Sequence, residues 1–254
     1  ATGGTADAID VAIGFLSDTA GNISTGLASP VSNAAMTLND TTAPAIGSID
    51  TDALADSFHK ASDVIEFTAT MANNENMKAG TTMSITLNND AVVTLTRDAT
   101  NAYEMVGNYT IAADDTDSDA LAVVSYDIGT AVDLSGNALA DDTAISGIDN
   151  IENNVAVDTT APRVTIETYV SPDLILVFNE AITNDSVTTL LSKLTALTEV
   201  TGADWTTNTD NTTFKIAATI TGNSASTPVQ LDPDDFNVLD AAGNILTIET
   251  LDIV

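Results

Sequence analysis

The sequence predicts an all-β chain of β-sandwich domains in tandem, with one short helix in the last of them. Three observations predict it. First, Asn39-Asp40-Thr41-Thr42-Ala43-Pro44 returns as Val157-Asp158-Thr159-Thr160-Ala161-Pro162, and its two aspartates lie 118 residues apart. That is the length of a sandwich domain and too long for a solenoid repeat. Second, Asp-x-x-Gly-Asn occurs at 18–22, 133–137 and 240–244, each time after an apolar segment. The seam follows 22 residues after the first copy and 25 after the second. Third, apolar residues of the middle repeat alternate with the period of a strand.

Taken in order, residues 1–41 match the later part of a repeat, with Ile9-Asp-Val-Ala-Ile13 standing where Leu121-Ala-Val-Val-Ser125 stands. Two or three strands are expected there, too few to close a sandwich. Either this part is cut from a longer chain or a neighbouring chain completes it by β-augmentation. The seam follows, and its proline and extended pre-proline residue admit neither a helix nor a central strand. Residues 42–159 form the full sandwich. Ile65, Phe67, Ala69 and Met71 point one way, as do Met83, Ile85 and Leu87, then Val93 and Leu95, then Tyr109 and Ile111. Asn88-Asn89-Asp90 turns one hairpin, and about seven strands are expected in all. Residues 160–254 form the last sandwich, opening with Val164, Ile166 and a buried strand at 174–178. Val187, Leu190, Leu191, Leu194 and Leu197 recur at helical spacing behind Asn184-Asp185, good N-cap residues, so a short helix is expected near 185–197. Strand patterning resumes at Phe214, Ile216, Ala218 and Ile220. Trp205, the only tryptophan, is expected in the core.

Composition narrows the function. Six Lys and Arg against 37 Asp and Glu give a formal charge of −31, which excludes nucleic acid or an anionic membrane as natural partner. Of the acids, 29 are Asp and 8 are Glu; Asp belongs in turns and calcium loops rather than on helices. There is no cysteine and one histidine, His59, so disulfides, thiolate chemistry and zinc are not expected. No apolar run approaches the roughly 18 residues of a membrane span. Position 1 falls inside a repeat, so a secretion signal or anchor is expected outside these residues.

Asp63-Val-Ile-Glu-Phe-Thr-Ala-Thr, Thr110-Ile-Ala-Ala-Asp-Asp-Thr-Asp-Ser-Asp-Ala-Leu and Val132-Asp-Leu-Ser-Gly-Asn-Ala-Leu resemble bacterial Ig-like repeats of large secreted surface proteins. Leu176-Val-Phe-Asn-Glu-Ala-Ile with Asp240-Ala-Ala-Gly-Asn is similar to the related Ig-like domains of S-layer proteins and adhesins. The resemblance covers nearly the whole chain and implies tandem Ig-like β-sandwich domains, secretion to the cell surface and, often, stabilisation by calcium. The helix in the last domain and the part-repeat at the start depart from the plain pattern.

Asp115-x-Asp117-x-Asp119 opens like an EF-hand loop, but Ala120 replaces the required glycine and Tyr126 stands where the bidentate Glu belongs, so an EF-hand is rejected. Either a looser calcium loop or a merely solvated acidic turn is expected at this inter-strand turn, and a separate metal site is expected at the seams, with a solvated linker holding no ion as the alternative. In an Ig-type sandwich each joint lies between the E–F loop of one domain and the F–G loop of the next. Asp114, Asp115, Asp117 and Asp119 are the E–F candidates, and Asp240 with Asn244 the F–G candidates. Asp158 sits between them, with Glu180 or Asp185 added from the B–C region. By the same logic Asp40, Asp133, Asn137 and Glu75 form the preceding joint. So many carboxylates at one place repel unless a Ca2+ ion bridges them.

No triad, phosphate cradle or metal-hydrolase set is present, and tandem copies of one site do not build a catalytic cleft, so the chain is not expected to be an enzyme. His59 is expected in a surface loop. Asn-x-Ser/Thr occurs at Asn22, Asn39, Asn108, Asn184 and Asn211, a number that a chain rich in Thr and Asn yields by chance. The function expected is structural: an extracellular repeat, calcium-stabilised, building a surface layer, sheath or filament from copies of itself. The alternative is a spacer of an adhesin whose head, elsewhere in the parent chain, binds carbohydrate or protein.

Overall fold

The computed structural model describes residues 40–140, 149, 151, 154–170, 172–196, 200–220, 229–231, 238–247 and 251–253. The part-repeat at 1–39, with the first Asp-x-x-Gly-Asn copy, lies outside the described residues, as do Leu197 and the side chain of Trp205.

Alternation sets the first sheet. β1 (Ile46–Thr51) is followed by the short β2 (Phe58–His59) and by β3 (Val64–Met71), whose Ile65, Phe67, Ala69 and Met71 are all buried. β4 (Thr82–Leu87) and β5 (Val92–Arg97) form the hairpin turned by Asn88-Asn89-Asp90, and β6 (Glu104–Thr110) and β7 (Val123–Asp127) complete the sheet. The order is β1-β3-β6-β5-β4-β7, antiparallel throughout. Both edge strands feed one core, since Ile49 of β1 and Val123 of β7 belong to the same buried cluster as Phe67, Ile85, Leu95 and Met105. The sheet therefore curls around its side chains, and Met77, Leu121, Leu139 and Val155 from the connections close the open side.

β8 (Ala156–Val157) leads into the second seam. Beyond it come β9 (Val164–Val170), β10 (Asp173–Phe178), α1 (Asn184–Ala196), β11 (Val200–Thr209), β12 (Thr213–Ile220), β13 (Val229–Leu231) and β14 (Leu251–Ile253). The second sheet has the order β9-β10-β12-β11. This matches β1-β3-β6-β5 strand for strand, with α1 taking the place in the chain that β4 holds in the first unit. A second, separate core lies beneath it, built on Leu174, Leu176, Phe214 and Ile216, with Leu190 and Leu194 of α1 packed in. Phe178 meets Phe214 edge-on at 5.6 Å.

Among the described residues the chain is all-β with one short helix, and two expectations are corrected in detail. The helix cap is Thr183, not Asn184 or Asp185: its Oγ1 accepts the Ser186 amide at 3.2 Å, and its carbonyl accepts Val187 N–H at 2.9 Å. His59 is not in a loop. It lies in β2, which pairs in parallel with β8 (Phe58↔Ala156, His59↔Val157), and it is partly buried with Nε2 3.0 Å from Ser57 Oγ. The backbone entering the seam needs partners, and Ser57 and His59 supply the carbonyls for Ala156 and Asp158 N–H.

Candidate metal centre

The site grows from the Asp-x-x-Gly-Asn turn. Gly136 and Gly243 take φ of +91 and +85, which glycine alone adopts without strain. That bend lets Asp133 Oδ1 accept the Asn137 amide at 2.8 Å, while Asn137 Nδ2 donates to Asp133 Oδ2 at 2.8 Å. Asp240 and Asn244 repeat both bonds at 2.9 and 2.8 Å. Each asparagine then reaches its own seam, with Asn137 Nδ2 donating to the Asp40 carbonyl and Asn244 Nδ2 to the Asp158 carbonyl, both at 2.9 Å. Within each seam the aspartate bends back on its threonines: Thr42 N–H donates to Asp40 Oδ1 at 2.9 Å and Thr160 N–H to Asp158 Oδ1 at 3.1 Å. The turn and the seam therefore form one unit, built twice from the same residues.

A glutamate completes each copy. Glu75 follows β3 after one 3-10 turn (Ala72–Asn74), and Glu180 follows β10 by two residues. A bridge from Met77 to Asp133, and another from Ile182 to Asp240, draws each glutamate's loop against its turn. Two trios result: Asp40, Glu75 and Asp133, and Asp158, Glu180 and Asp240. In each, one carboxylate oxygen per residue lies within 4.8 Å of the others.

The electrostatics of the second trio are those of crowded anions. Burial, then the neighbouring Asp158 and Asp240, pushes Glu180 up to about 7. Burial and Asp240 raise Asp158 as well. Asp133 moves the other way: burial alone would raise it, but hydrogen bonds from Asn137 and Ser135 outweigh burial and lower it. Three carboxylates at such spacing offer hard oxygen donors only and could hold a metal cation.

No protein-family model matches the chain, and no curated protein matches it in sequence.

The other acids named from sequence have separate places. Asp114 is exposed and outside both trios. Asp115 is turned to the first core, where its Oδ2 accepts the Tyr109 hydroxyl at 2.7 Å and the Ala112 amide at 2.9 Å. Asp117 takes the seam threonines, and hydrogen bonds from Thr159 and Thr160 outweigh its burial and hold its pKa low. Asp119 joins Phe58, Asp117, Asp158, Asn179 and Glu180 around a cleft of about 320 Å3 at the seam. Asp185 stands exposed in the first turn of α1, outside the trio, where the helix N-terminus favours a negative charge. One contact carried no sequence signal: Lys60 Nζ donates to the Gly243 carbonyl at 2.7 Å, tying the two units directly. A lone lysine among solvated loops gives no hint of a partner 183 residues away.

Proposed function

We propose that this chain is a structural, extracellular repeat of tandem Ig-like sandwiches whose joints are fastened by calcium, and that copies of it assemble into a surface layer, sheath or filament. The single observation that carries the reading is the repetition: both seams gather one seam aspartate, one loop glutamate and one turn aspartate. A chance acidic patch has no reason to recur with the same turn and the same backbone contacts. In each copy the seam contributes one carboxylate and the unit that follows contributes two, so an ion there would bolt the seam to the unit downstream. The raised pKa of Glu180 follows from burial and two carboxylate neighbours and needs no catalytic role.

Electron microscopy of the purified chain with and without calcium tests the assembly. Ordered sheets or filaments that disperse on chelation support it. Isolated rods under all conditions overturn assembly and favour a spacer.

A further inference from the structure

An ion at Asp158, Glu180 and Asp240 would hold the seam to the second unit, while the β2–β8 ladder, the His59 carbonyl and the Lys60–Gly243 contact tie the start of the seam and the second unit to the first. A separate set of contacts fixes the threonines that follow Asp158. Asp117 Oδ1 accepts Thr159 N–H at 2.6 Å, and Asp117 Oδ2 accepts the Thr160 hydroxyl at 2.6 Å. The Thr159 hydroxyl lies 3.0 Å from Asp117 Oδ1 and 2.9 Å from the Asp115 carbonyl, and gives its single hydrogen to one of them. The loop that receives the threonines is itself fixed. Asp115 is tied to the buried Tyr109 hydroxyl, which in turn accepts Asn89 Nδ2 at 2.7 Å, and Ser118 and Val157 exchange both backbone bonds at 2.8 Å. The path runs from the first core through Tyr109 and Asp115 to Asp117, and from there to the threonine pair.

We infer that Asp117 is the upstream half of the joint: its carboxylate latches Thr159 and Thr160 and so positions the second unit's seam against the first unit, with no cation required. The inference shares with the proposed function only the view of the seam as a stiff joint. It assigns the Thr-Thr pair a role that its β-branched shape does not supply. Branching stiffens the chain locally, whereas the latch needs the hydroxyls. Charge-assisted hydrogen bonds to a carboxylate are the stronger kind, and Asp117 is exposed and belongs to neither core.

Valine separates the two roles, because it keeps the branch and loses the hydroxyl. The chain has no cysteine, so Thr94→Cys and Thr188→Cys, both at exposed positions on different units, allow spin labels for distance measurement in the full chain. The wild type, the double variant T159V/T160V and Asp117→Ala are compared in calcium and in chelator. The expected result is a distance distribution about twofold wider in both variants, even with calcium present, while the thermal melt of each unit is unchanged. A distribution as narrow as wild type in the valine variant and in Asp117→Ala overturns the latch. If chelation alone widens the wild type and the variants behave like it, the calcium joint survives and the latch fails. If the variants widen while chelation changes nothing, the latch stands and the calcium joint falls.

Discussion

At the scale of single residues the second trio makes a sharp pH prediction. Glu180 is held at about 7, above its usual 4.5, so the folded state holds a proton that the unfolded state has released between those values. Its contribution to stability is therefore present at low pH and lost as pH rises from about 4.5 to about 7. Asp158, raised as well, adds to the fall in the same direction, whereas Asp117 and Asp133, whose pKa values are lowered, are ionised in both states over that window and add no slope there. In chelator the melting temperature of the wild type should fall across this range, and Glu180→Gln should flatten the fall; a wild-type profile that rises with pH refutes the assignment. The turn is as testable. Asn244 Nδ2 serves Asp240 Oδ2 and the carbonyls of Asp158 and Thr160, so Asn244→Ala should cost about 1–3 kcal/mol in a denaturant melt. The meeting of Asp158 with Asp240 was legible in the sequence, because two repeats in phase bring seam and turn together. The separate places of Asp114, Asp115, Asp119 and Asp185 were not, because acidity carries no direction: Asp115 is decided by a tyrosine hydroxyl and Asp185 by a helix end.

At the scale of elements, the period-two alternation of β3, β4 and β5 was legible residue by residue, since burial of one face demands it. The two-residue ladder of β2 and β8 was not, as a pair so short has no period to read. The helix was visible from its leucines, and its cap was misplaced by one residue because Thr183, Asn184 and Asp185 are all competent caps by type. Packing decides among them. The Thr183 hydroxyl donates to Ser186 Oγ at 2.7 Å, and the buried Ser186 Oγ accepts Leu239 N–H at 2.6 Å, so the first turn is tied to the residue just before the Asp-x-x-Gly-Asn turn. Thr183→Ala should cost about 1 kcal/mol, against little for Asn184→Ala, by thermal or denaturant melts. Gly107 makes a second element-scale case. It lies on β6 opposite Phe67, and an added Cβ would meet the Thr94 carbonyl and sit 2.8 Å from Leu95 Cδ2. Gly107→Ala should therefore destabilise the first sheet by about 1–3 kcal/mol through overpacking, and a neutral result would mean that β5 and β6 separate more easily than this packing allows.

At the scale of the whole molecule, a formal charge of −31 opposes compaction and association alike. Screening by sodium relieves only the diffuse part of that repulsion. Among the described residues the carboxylate trios concentrate part of the local repulsion at two places, where a bound divalent ion would act by mass action on the folded state alone. At a free concentration about 100 times its dissociation constant, each site would add about 2.7 kcal/mol, or a rise of roughly 10–20 °C for a unit of about 100 residues. Millimolar calcium should therefore raise the melting temperature by that order over sodium chloride of equal ionic strength; equal effects of the two salts would remove calcium from the account. The trios also separate in this test. Asp158→Asn takes one carboxylate from the second trio and leaves Asp40, Glu75 and Asp133 intact. Calorimetric titration of that variant should lose about one bound ion while the first trio keeps its own, and each unit should still melt cooperatively. Solution scattering should then report a broader spread of shapes for Asp158→Asn in calcium than for the wild type in calcium, since the bolt on the downstream side of the seam is gone while the Asp117 latch on the upstream side remains. A variant that keeps the full complement of ions, or that scatters like the calcium-bound wild type, would show that this trio is a solvated acidic surface and that the stiffness of the joint has another origin.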